Sequence, residues 1–308
     1  TIALSWRYMS PLGFAWTIPG TVLVGPALQH LSFAEVIGAF YATSALILVM
    51  GATGWVRRLM SSLPMPIVMG MVAGVFLRFG LDLVRSLHED AVGAVAGGAR
   101  GQRDTAGIGS FAFAAPVVQA PVWSVAALVE LVVPLAITVL VVQNGQGVAV
   151  LKTAKHEPPV NTIAVACGIG AALSAAVGAV STFLTGPSNA LLTSSGKLER
   201  QYTAALVFGA FGVLFGLMAP TFTGLMLATP AEFIMVLGGL AMLRVLQGAF
   251  MGSFAGGKFT LGALISLLVT VADISLLNIG AAFWGLVAGF AVSWLMEKHD
   301  FVALANKS

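Results

Sequence analysis

The chain has 308 residues, 58% of them hydrophobic and only 9% charged, against about 25% charged in an ordinary soluble domain. With a mean hydropathy of +0.97, it is excluded as a soluble globular protein and reads as a polytopic membrane protein. The net charge of +3 does not mark a nucleic-acid binder. Its basic residues sit at the ends of apolar runs (Arg57, Arg58, Lys152, Lys155, Lys197, Arg200, Arg244, Lys258 and Lys298), where such an excess reads as cytoplasmic.

In chain order, the first feature is a broken apolar stretch, Pro11-Leu-Gly-Phe-Ala-Trp-Thr-Ile-Pro19-Gly20. Apolar runs follow near 32–52 and 66–81. A polar, glycine-rich break at 86–110 reads as a flexible loop. Further runs lie near 122–151 and 160–180, and then comes a second broken stretch, Val180-Ser-Thr-Phe-Leu-Thr-Gly186-Pro187-Ser-Asn189. Runs near 203–219, 231–246, 260–277 and 279–296 complete the chain. Most reach the roughly 17–25 residues that cross a bilayer as a helix, and the alternating ~10-residue segments of a membrane barrel do not occur. The 36 glycines are scattered, which suits close helix packing.

The two broken stretches carry the functional signal. In hydrocarbon an unpaired N–H or C=O costs several kcal/mol, so irregular backbone survives only around a protein-buried or watered cavity. Paired interruptions in the two halves of a chain point to a transporter's binding site. Between the second break and Lys197 the chain is too short for a full crossing, which predicts a half-helix starting near the midplane. Its N-terminus, around Ser181 to Thr185, would favour an anion or a polarised carboxyl group. The expected divisions are 1–85, an N-terminal repeat part; 86–121, a polar loop and connector; 122–218, core helices; and 219–308, gate helices and tail. Only about three apolar segments precede the polar loop, against about six spans after it, so the N-terminal repeat is expected to be incomplete.

Four stretches in order, Ala15-Trp-Thr-Ile-Pro-Gly20, Met71-Val-Ala-Gly-Val-Phe-Leu-Arg-Phe-Gly80, Gln143-Asn-Gly-Gln-Gly147 with Pro158-Pro159, and Ile279-Gly-Ala-Ala-Phe-Trp-Gly-Leu286, resemble the benzoate:proton symporter family of the nucleobase and anion transporter superfamily. The resemblance implies an all-α membrane fold of two inverted repeats, with a core domain moving against a gate domain. Substrate would lie between two half-helices, each preceded by a short strand at the midplane. It places 12–28 as the third segment, 122–151 as the eighth and 181–194 as the tenth. Proton-coupled import of benzoate across the inner membrane, and a homodimer through gate helices such as 279–296, are further implications. The second half-helix departs from the commoner pattern, with Val180 where many members carry Asn, while Thr185 keeps the Thr position.

For substrate binding the expected residues are Phe14, Trp16, Thr17, Gln143, Asn144, Ser181, Thr182 and Thr185. Amides and hydroxyls would hold a carboxylate and aromatic rings would cover the substrate. The competing reading is structural: amides bridge helices, and hydroxyls satisfy backbone groups freed by Pro and Gly. Ionisable residues within spans are suspects by default, which makes Glu130 and Asp273 the proton-coupling candidates. Glu130 lies thirteen residues before Gln143, roughly 20 Å along a helix, so it suits proton entry and not substrate contact. Arg78 and Asp82 are expected to pair at a membrane boundary. His30 and His156 lie in turns or loops and make no convincing relay. Cys167 is alone in an apolar run.

No Walker loop or dinucleotide fingerprint occurs, and no metal-ligand spacing, so neither an enzyme nor a cofactor is expected. The leading reading is a secondary carrier of a small aromatic carboxylate with protons. The alternatives are an uncoupled anion carrier or channel of the same fold, and a shortened, non-transporting membrane scaffold.

Overall fold

The computed structural model describes residues 1–95, 112–229, 231–273, 276 and 279–305. Apolar content dictates helix nearly throughout, and the described chain is all-α apart from two three-residue strands and an isolated bridge between Leu276 and Ile279. The order begins α1 (Ile2–Tyr8), β1 (Phe14–Trp16), α2 (Ile18–Ala27), α3 (Phe33–Thr53), α4 (Trp55–Ser62) and α5 (Met65–Val95). After a stretch at 112–124 without regular secondary structure come α6 (Val125–Thr153), α7 (Val160–Ala176), β2 (Thr182–Leu184) and α8 (Gly186–Leu192). The chain ends with α9 (Gln201–Leu217), α10 (Ala219–Leu227), α11 (Ala231–Phe254), α12 (Thr260–Ala272), α13 (Ala281–Met296) and α14 (Lys298–Ala305). Among the described residues, five helices are long and apolar enough to cross a membrane: Phe33–Thr53, Met65–Arg85, Val125–Thr153, Leu198–Leu217 and Val236–Phe254.

Local sequence sets the boundaries. Ser32 and Glu35 form a reciprocal capping box at the start of α3, satisfying two orphan donors. Gly54, at φ +76°, ends α3 in the left-handed region open to glycine. One boundary differs from expectation: α5 continues to Val95, into the stretch read as loop. Leu87, Glu89 and Ala91 are good helix formers, and a polar turn added to an apolar span lengthens it beyond the bilayer. The remainder of that expected loop, 96–110, lies outside the described residues.

Two groups of helices result. In one, α3 packs along α7 and against the first half of α6, with Ser44 Oγ donating to the Gly168 carbonyl at 2.8 Å. In the other, α5 packs against α11 and α12, and α12 against α13. Long-range side-chain caps tie this second group together. Glu297 accepts the N–H groups of Leu261 and Gly262 at 2.9 and 3.0 Å, and Asp300 accepts that of Phe259 at 2.8 Å. These carboxylates occupy the positive end of α12, where Phe259 supplies no cap of its own.

Candidate functional site

The strands bring the two broken stretches together. They pair antiparallel, with Phe14 opposite Leu184, Ala15 opposite Phe183 and Trp16 opposite Thr182. The ladder extends symmetrically at both ends: Thr17 N–H donates to the Ser181 carbonyl at 3.1 Å, and Thr185 N–H to the Gly13 carbonyl at 3.0 Å. Each strand runs straight into a helix through the same pattern, Thr17-Ile18-Pro19-Gly20 in one half and Thr185-Gly186-Pro187-Ser188 in the other. The Thr17 hydroxyl accepts the Gly20 N–H at 2.9 Å and the Thr185 hydroxyl that of Ser188 at 3.4 Å. Proline at the second helical position sacrifices only an N–H with no intrahelical partner. Asn189 of α8 then clasps Gly13, its Oδ1 accepting the Gly13 N–H at 3.0 Å and its Nδ2 donating to the carbonyl at 3.1 Å.

Behind β2 runs α6, which contains two π-helical turns, Leu128–Val132 and Thr138–Gln143. Such bulges rotate the following residues relative to a regular helix. Asn144 Oδ1 accepts the Leu184 N–H at 2.8 Å, and its amide nitrogen meets Cys167 Sγ at 3.5 Å. Gly147 lets α6 approach β2 closely, since a Cβ there would lie 2.5 Å from the Leu184 carbonyl oxygen.

A cavity of about 1040 Å³ lies in front of this unit. Its walls come from β1 and β2, from α6, from Val72 and Phe76 of α5, from α9, and from Met242 and Val245 of α11. Phe14, Trp16, Gln143, Thr182 and Thr185 line it, as do Gln146 and Phe183. Thr17, Asn144 and Ser181 are not at its wall; each is buried in the support behind. Thr17 and Thr185 both act as helix caps, so the structural reading of their hydroxyls applies whether or not they also meet substrate. Gln143 differs from its neighbours. It is 4% exposed, and its Oε1 is buried without a hydrogen-bond partner.

Sequence reasoning picked the adjacent amides Gln143 and Asn144, but neighbouring helical residues point in different directions. Gln143 and Gln146, three apart, share a face and both reach the cavity, while Asn144 turns to β2. The helical spacing was the signal for Gln146. The Thr-x-Pro pattern repeated in the two broken stretches was the signal for their equivalence.

The two proton-coupling candidates lie apart from the cavity wall. Glu130, buried in the first π-helical turn, places Oε2 2.9 Å from His30 Nε2, and its Oε1 has no partner. His30, read as a mere turn residue, therefore joins the end of α2 to α6. Asp273, 64% exposed at the end of α12, pairs with Arg78 at 2.8 Å. The expected Arg78 partner, Asp82, has its side chain outside the described residues. Gln201 donates to the carbonyls of Thr193 and Ser195, so its Oε1 is left to accept from His156 Nε2 at 2.8 Å. Among the described residues no group of three or more His, Cys, Asp or Glu side chains is placed to hold a metal ion.

The family model described as benzoate membrane transport protein matches residues 1–92 and 91–295. The chain is 31% identical to the inner membrane protein YdcO of Escherichia coli (strain K12), over 94% of this chain and 81% of that protein. It is 26% identical to the benzoate membrane transport protein of Acinetobacter baylyi, over 96% of this chain and 83% of the relative.

Proposed function

The chain belongs to the benzoate membrane transport protein family, and from that premise we propose that it imports a small aromatic carboxylate, benzoate or a near analogue, together with protons across the inner membrane. The coarser activity, membrane transport, is that of the family. The observation that carries the finer reading is the Gln143 amide, buried at the wall of a largely apolar and aromatic cavity with its Oε1 unpartnered. An apolar pocket with few polar anchors is how small ligands are oriented. Phe14, Trp16 and Phe183 cover the ring, Gln143 meets the carboxyl group, and Thr182 and Thr185 bound the polar end. Thr17, Asn144 and Ser181 support the strands from behind.

The paired strands hold both half-helices as one unit facing α5 and α11, so alternating access proceeds by movement of that unit against the second helix group. Uptake of labelled benzoate into proteoliposomes tests the reading. An inward proton gradient should accelerate uptake, an uncoupler should abolish that acceleration, and Gln143→Ala should reduce uptake at least tenfold. Uptake indifferent to the uncoupler would select the uncoupled carrier instead.

A further inference from the structure

Resting on that aromatic-carboxylate reading, we propose that the site takes its substrate as the neutral carboxylic acid, and that the cotransported proton rides on the substrate. With the Gln143 amide turned toward the cavity, the acid O–H donates to Oε1 and Nε2–H donates to the acid carbonyl oxygen. A carboxylate ion takes a proton from water outside, crosses as the acid, and returns that proton to water inside. One proton therefore accompanies each molecule.

Three features of the cavity support this. First, Gln143 Oε1 is an acceptor without a donor. A carboxylate has no hydrogen to offer it, whereas a carboxylic acid has one. Second, among the described residues no Asp, Glu, His, Lys or Arg side chain is at the wall, and an ion without a partner in apolar surroundings neutralises rather than stays charged. Third, the half-helices have little left for an anion. In each, the second position is proline, without an N–H, and the third is already capped by threonine.

The charged groups described on the elements forming the wall are engaged or placed elsewhere; the side chains of Asp82, His88, Glu89 and Asp90 on α5 and Glu232 on α11 lie outside the described residues. Glu130 of α6 meets His30, and Arg78 of α5 meets Asp273. Lys152 of α6, Arg85 of α5 and Arg244 of α11 are absent from the wall. Thr1 also lines the cavity, so the test uses protein with an N-terminal extension, in which no α-amino charge sits there.

The experiment is equilibrium binding to purified protein of benzoate and of benzamide, the neutral analogue that cannot ionise, between pH 5.5 and 7.5. A carboxyl group titrates near pH 4, so its neutral fraction falls about tenfold per pH unit over this range. The apparent Kd of benzoate should rise about tenfold per unit, while benzamide should bind with a Kd independent of pH. Gln143→Met should weaken benzamide, and benzoate at pH 5.5, by tenfold or more. A benzoate Kd flat with pH overturns the proposal, because the anion is then the bound species. Benzoate binding without benzamide binding overturns it too, and leaves the aromatic-carboxylate reading standing. Absence of binding by either ligand at every pH, in protein with a cooperative thermal transition, overturns that underlying reading itself.

Discussion

Asn144 holds Leu184 by its backbone: the amide oxygen on α6 accepts the Leu184 N–H at 2.8 Å, so a side chain from one membrane helix completes the free edge of a strand inside the protein. An extended backbone in a membrane must find partners for every N–H, and this is how β2 finds one on the side away from β1. Asn144→Leu strands that N–H in an apolar interior at a cost of about 1–3 kcal/mol. The expected outcome is a lower unfolding temperature in detergent, with benzoate uptake falling in parallel. Unchanged stability would mean that β2 finds another partner.

The two threonine caps should behave alike. Thr17→Val and Thr185→Val each remove a side-chain acceptor from the first turn of a half-helix, a loss of about 0.5–2 kcal/mol. Serine at either position restores the hydroxyl and should restore most of the stability. Thermal unfolding of the four single variants checks this, and a valine variant as stable as its serine counterpart would contradict the capping role.

Gly147→Ala introduces a Cβ that would sit 2.5 Å from the Leu184 carbonyl oxygen. Either α6 or β2 must move, and the cavity wall moves with it. The variant is expected to insert into the membrane but to lose most uptake. Gly256→Ala, where a Cβ meets nothing within 4 Å, is the matched control and should retain it.

His30 and Glu130 form a pair 2.9 Å apart with the carboxyl end buried. Removing His30 leaves Glu130 without that partner, so the His30→Ala and Glu130→Gln effects on stability should be non-additive by about 0.5–3 kcal/mol. If the proton rides on the substrate, Glu130→Gln keeps uptake that is accelerated by a proton gradient. Loss of that acceleration, with binding intact, would return Glu130 to the role of proton carrier.

Glu297 gives a prediction remote from the cavity. Its carboxylate accepts two backbone N–H groups of α12 and the Ser293 hydroxyl at 2.7 Å. Charge-assisted bonds of this kind are about twice as strong as neutral ones. Glu297→Ala should destabilise the protein by about 1–3 kcal/mol while leaving the Kd for benzoate unchanged, as measured by denaturation and binding on the same preparation.

The half-helices were legible because Pro and Gly interrupt apolar sequence at Pro19, Gly20, Gly186 and Pro187, and that punctuation acts locally. Helix phase was less so. Composition placed Gln143 and Asn144 in the right crossing helix, but two π-helical turns and a one-residue step decide that the first meets the cavity and the second meets β2. Pairings between distant segments left no trace in either partner's neighbourhood. Arg78 pairs with Asp273, 195 residues away, because α5 lies along α12. The strands were expected from family resemblance alone, since Phe14-Ala-Trp16 and Thr182-Phe-Leu184 are too short to alternate visibly.

The pairing of β1 with β2 also has a consequence for biosynthesis. Phe14 to Trp16 reach the membrane early, but the segment that satisfies their backbone, Thr182 to Leu184, emerges from the ribosome roughly ten to thirty seconds later at ordinary elongation rates. Throughout that interval the first half-helix cannot settle in hydrocarbon without exposing unpaired amides. It must wait at the interface or within the insertion machinery. Entry of the N-terminal binding segment is therefore a late event in assembly, and a chain arrested before residue 182 should leave it accessible to a water-borne label.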